Sequence, residues 1–157
     1  MKEEMLEKSS IIGRTEEDLK KYGEKGTAYI GKVVLSSGEN PVLGRKILMD
    51  VAKPHLVLIC GKRGGGKSFS LAVIMEELAR QPREIKNRIS MITIDTVGIF
   101  WTLKIPNSED KAELSNWDLE PDKTDAQVLV PKGKLDFYKE KGLPVDGSFT
   151  IKTSELD

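Results

Sequence analysis

A chain of 157 residues is long enough to bury one globular core and too short for a multidomain machine. Its 25 Lys plus Arg balance 25 Asp plus Glu, so no long-range field draws it onto DNA or an anionic membrane. With 38% apolar and 32% charged residues it lies outside the regime of disorder, and without a long apolar run or a signal-like start it is expected to be cytoplasmic and free of membrane.

Residues 1–26 are charged and lightly apolar. Thr15 followed by Glu16, Glu17 and Asp18, then Leu19 and finally Gly23, predicts a short helix with an N-cap and a glycine stop. A β-extension over 27–52 follows. Ala28-Tyr29-Ile30 and Val33-Val34-Leu35 read as a strand, Ser36-Ser37-Gly38-Glu39-Asn40-Pro41 as turn chemistry, and Ile47-Leu48-Met49-Asp50-Val51 as a second strand. Together they predict a small β-hairpin ahead of the core, which occupies 53–157.

The core opens with His55-Leu56-Val57-Leu58-Ile59-Cys60, a short apolar run after Pro54 and before a glycine, as expected of a strand buried on both faces of a parallel sheet. His55 reads as a strand-entry residue and Cys60 as a small core residue. Leu71, Ile74, Met75 and Leu78 keep helical spacing from Lys67 to about Arg80, and Pro82 ends that helix. Residues 88–95 (RISMITID) read as a second parallel strand, completing a βαβ unit with a right-handed crossover. Further on, a helix is predicted over 108–116, a strand over 127–131, a short helix over 134–141 and a last strand over 148–152.

Between the first strand and its helix lies GKRGGGKS, residues 61–68, which satisfies the pattern Gly, four variable residues, Gly, Lys, Ser/Thr. Glycines at 61, 64, 65 and 66 let the backbone come close to phosphate oxygens with no Cβ in the way. Consecutive N–H groups then converge on the anion, and the following helix adds its free N–H groups and the positive end of its dipole. The expected nucleotide-contacting set is Gly61, Lys62, Arg63, Gly64, Gly65, Gly66, Lys67, Ser68 and Phe69. Lys67 is to reach the β- and γ-phosphates of ATP as a catalytic point charge, and Ser68 is to place its hydroxyl on Mg²⁺. Lys62 and Arg63 either assist the phosphates or face solvent.

Asp95, at the carboxyl end of the second predicted strand, is a candidate catalytic carboxylate that positions water or supports Mg²⁺; the alternative is a capping or turn residue before Gly98. Asp95 to Gly98 also spells D-x-x-G, but no N-K-x-D accompanies it, which argues against a GTPase. Phe100 and Trp101 read as core plugs in preference to a base-stacking platform.

PHLVLICGKRGGGKSFSLAVIMEEL followed by ITIDTVGIFWTL resembles the ATPase core of HerA/FtsK-type translocases, archaeal HerA-like ATPases in particular, from about Gly26 onward. The resemblance implies an α/β fold: a P-loop NTPase, RecA-like, three-layer parallel sheet, here incomplete and preceded by the small β-hairpin extension. It further implies ATP and Mg²⁺, a homo-oligomeric ring, commonly a hexamer, and DNA pumping coupled to hydrolysis. By that likeness Gly61, Gly66, Lys67 and Ser68 match the Walker A positions. The chain departs from the family in having no four apolar residues followed by Asp-Glu, as a Walker B strand requires, and no recognisable arginine finger. It therefore reads as the N-terminal part of a longer ATPase or a truncated relative. The alternatives are a stand-alone nucleotide-binding module without efficient hydrolysis and, ranked last, a small P-loop kinase.

Overall fold

The structure is a computed structural model that describes residues 10–38 and 41–152. The described residues are mixed α/β with two small sheets, and the chain divides into two units, one comprising the chain up to Ile92 with Ser115–Leu119, the other Thr93–Leu114 and the residues from Glu120 onward.

The first unit is built on a three-stranded sheet. Strands β1 (Ser10–Ile12), β2 (Thr27–Ser36) and β3 (Val42–Asp50) lie in the order β1-β3-β2. β2 and β3 form the predicted hairpin, antiparallel with Thr27 opposite Asp50 and Tyr29 opposite Leu48. Glu39 and Asn40 of the predicted turn fall outside the described residues. β1 runs parallel to β3, pairing Ser10 with Ile47 and Ile12 with Met49. Three residues are too few to show a period, which is why sequence patterning missed this strand.

Helix α1 (Glu16–Tyr22) follows the capping signals: the Asp18 N–H donates to Thr15 Oγ1 at 3.2 Å, and the Gly23 N–H, at φ +57°, donates to the Leu19 carbonyl at 2.9 Å. Helix α2 (Lys67–Ala79) lies where its apolar spacing placed it. It packs on β2, with Met75 buried, and Pro82 then starts a further short helix, α3 (Arg83–Lys86). Residues Ser115–Leu119 belong to this unit through Tyr29 Oη, which donates to the Trp117 carbonyl, and Lys32 Nζ, which pairs with Asp118 at 3.0 Å. Ala28, Leu48 and Met75 are its buried apolar residues.

The two strands predicted at 55–60 and 88–95 do not pair into a sheet among the described residues. Leu56 is 99% exposed and Ile92 90%, and Cys60, expected in a core, is exposed as well. Runs with apolar side chains at successive positions need cover on both faces and a neighbouring strand on each side. Among the described residues neither run gains a neighbouring strand.

The second unit holds a 3₁₀ turn (Phe100–Lys104) and most of helix α4 (Lys111–Asn116), which replaces the longer predicted helix at 108–116. Then come β4 (Leu129–Pro131), a 3₁₀ turn (Lys132–Lys134), α5 (Leu135–Glu140) and β5 (Gly147–Phe149). β4 and β5 pair parallel, with Val130 opposite Ser148. The final strand thus sits earlier than its predicted 148–152. Asp146 ties the pair together: its Oδ2 accepts the Val128 N–H at 2.6 Å, its own N–H donates to the Val128 carbonyl, and Lys104 Nζ donates to its Oδ1 at 2.6 Å. Among the described residues no helix is long and apolar enough to cross a membrane.

Candidate functional site

The glycine-rich loop lies wholly in the first unit and leads directly into α2. Gly64 and Gly66 take φ of +76° and +79°, while Gly65 between them does not. Left-handed residues in alternation are the backbone pattern from which anion-binding nests are built. Gly66 is the N-cap of α2 in left-handed conformation and supplies no side-chain cap. The first N–H groups of a 13-residue helix therefore have no side-chain acceptor at the cap, and the positive end of the helix dipole is open there.

Within the loop, the Lys62 carbonyl is the organising acceptor. It receives the Gly65 N–H at 3.1 Å and Lys67 Nζ at 2.6 Å, which folds the Lys67 ammonium back over the loop. A Cβ at Gly65 would stand 3.1 Å from that same carbonyl oxygen, a tight contact that the loop would have to relax, whereas at 64 and 66 glycine is favoured by φ. Residues 61–66 are all exposed, with Lys62 and Arg63 among them. Ser68 is exposed on the first turn of α2, and the Phe69 ring beside it is 75% exposed.

No protein-family model, curated protein or solved structure matches the chain.

A triphosphate with Mg²⁺ fits the donor set of the loop. Mg²⁺ in such sites takes one hydroxyl, phosphate oxygens and water and has no need of a protein cage. Ser68 offers that hydroxyl, and among the described residues no group of three or more His, Cys, Asp or Glu side chains could hold a metal by itself.

Asp95 belongs to the second unit. Its Oδ1 accepts the N–H groups of Val97 and Gly98 at 3.0 and 2.7 Å, and its Oδ2 those of Ile99 and Phe100 at 2.7 and 2.8 Å. Burial pushes its carboxyl up, but the four N–H donors, led by Phe100, outweigh that and hold it below the ordinary Asp value. Both oxygens are thus engaged in forming the turn that opens the Phe100–Lys104 segment, which is the capping geometry. Gly98, at φ +75°, faces Tyr138 so closely that a Cβ would lie 3.1 Å from its hydroxyl. Phe100 and Trp101 are half-buried, and Trp101 Nε1 donates to the Gly98 carbonyl at 3.0 Å. They pack as part of this turn.

His55, read as a strand-entry residue, has a specific partner: its Nε2 lies 2.8 Å from Asp50 Oδ2. Asp50 and Arg14 form a buried pair beneath it, which sequence reasoning did not single out because the two stand 36 positions apart.

Proposed function

We propose that residues 61–68 bind the phosphates of a nucleoside triphosphate, ATP with Mg²⁺, as the nucleotide-holding part of a HerA-like DNA translocase or helicase ATPase. What supports the phosphate-binding reading is the coincidence of the GKRGGGKS pattern with alternating left-handed glycines and an uncapped helix start at Gly66. The loop N–H groups and the α2 terminus hold phosphate oxygens. Lys67 exchanges the Lys62 carbonyl for the β- and γ-phosphates, which replaces a neutral acceptor by an anionic one. The Ser68 hydroxyl would hold Mg²⁺, which would supply charge neutralisation to the bound phosphates. Phe69 follows Ser68 as an exposed apolar side chain, and the exposed Lys62 and Arg63 add positive charge to the loop.

The translocase reading, with a ring of copies and DNA as the moved polymer, rests on the sequence resemblance alone. A second reading, a module that binds nucleotide without efficient turnover, is favoured by one observation: both Asp95 oxygens are already taken by backbone N–H groups, which leaves the candidate catalytic carboxylate little freedom to act on water.

Titration calorimetry with Mg-ATP on the chain and on Lys67→Ala tests the proposal. The variant is expected to lose binding by about a hundredfold or more with its far-UV circular dichroism unchanged. Equal affinity in the two proteins refutes the phosphate-loop assignment.

A further inference from the structure

The segment that carries the loop is fastened to one small sheet at both of its ends. Upstream, Asp50 at the end of β3 holds His55 Nε2 at 2.8 Å on Oδ2 and Arg14 Nε at 3.0 Å on Oδ1. The Asp50 and Arg14 side chains are 3% and 1% exposed, so this is a buried, paired anchor. Arg14 is immobilised in turn by the carbonyls of Gly23, Lys25 and Gly26, at 2.6, 2.9 and 3.0 Å. Gly13 makes room for the imidazole: a Cβ there would stand 2.9 Å from His55 Cε1. Downstream, Glu77 Oε2 on α2 accepts the N–H of Tyr29 on the edge strand β2 at 3.0 Å, and Gln81 Nε2 donates to the Thr27 carbonyl at 2.9 Å.

Between these anchors, residues 56–60 join no sheet, and the loop is held by its own bonds to the Lys62 carbonyl and by the Ser70 N–H and hydroxyl of α2 on the Gly66 carbonyl. The ends of the loop segment are therefore placed by His55 and by α2. The geometry points to His55 and Glu77 as positioning residues for phosphate binding, acting by fixing the two ends of the segment on the β1-β3-β2 sheet. A loop tethered at both ends samples fewer conformations than one tethered at a single end, so a larger share of its population presents converging N–H groups to an anion. Apparent affinity follows that share. The inference rests on the reading of residues 61–68 as a phosphate loop.

Fluorescence titration of N-methylanthraniloyl-ATP with Mg²⁺ into the full chain tests it, at a temperature where circular dichroism shows each variant folded. His55→Ala and Glu77→Ala are each expected to weaken binding about three- to tenfold. His55→Gln, which keeps an N–H donor at similar reach, and Glu77→Gln, which keeps an acceptor oxygen, are expected to return it to within about twofold of the parent. A merely structural role lowers the melting point without moving affinity in the folded protein. Glu77→Ala leaves the Asp50–Arg14 pair intact and so remains decisive if His55→Ala fails to fold. Parental affinity in the folded alanine variants, with Lys67→Ala non-binding, overturns this inference alone. Parental affinity in Lys67→Ala overturns the phosphate-loop reading beneath it.

Discussion

Tyr29 shows how one residue integrates the first unit. Its N–H goes to Glu77 on α2, its hydroxyl to the Trp117 carbonyl, and its ring receives Lys46 Nζ at 4.9 Å from the centroid. Burial raises its phenol to a pKa of about 12, with the negative charges of Asp118 and Glu77 adding to the effect. The sign follows: folded Tyr29 holds its proton more tightly than the unfolded chain at 10.0, so its contribution to stability is complete below pH 10 and is lost as pH rises toward 12. Among the three tyrosines, an absorbance titration at 295 nm is expected to show a late phase near pH 12 that Tyr29→Phe removes. Persistence of that phase in the variant assigns it elsewhere. None of this was legible in the sequence, where Tyr29 was simply a strand residue, because its partners come from 48 and 88 positions away.

At the scale of elements, local signals carried furthest. Thr15 and Gly23 bound α1 because capping is a property of four or five consecutive residues, and Leu71, Ile74, Met75 and Leu78 located α2 because its period is internal. The turn after Asp95 is also local, and its geometry is of the capping kind named as the alternative to catalysis. Its stability can be measured. Asp95→Ala removes an acceptor of four N–H groups and is expected to cost about 1–2 kcal/mol in urea denaturation, with Asp95→Asn, which keeps one acceptor oxygen, falling between. An unchanged denaturation midpoint in Asp95→Ala shows that these bonds do not hold the turn.

Across the whole molecule, charge balance and the glycine loop were legible, and so was the β2–β3 hairpin, but sheet membership of the apolar runs was not. Leu56, Leu58, Ile92 and Ile94 have the side chains of central strands, yet a strand is defined by partners that its own sequence does not contain, and here they stand 84–99% exposed. Exposed apolar runs of this kind mark surface that a folded protein normally covers. The glycine loop escapes that dependence because the groups proposed to hold an anion are its own backbone N–H groups and the start of α2. The most direct test of its role is a calorimetric series with adenosine, AMP, ADP and ATP, each with and without Mg²⁺. Recognition through residues 61–68 predicts no measurable binding of adenosine, affinity rising with each added phosphate, and Mg²⁺ strengthening ATP most. Equal affinities for adenosine and ATP contradict it.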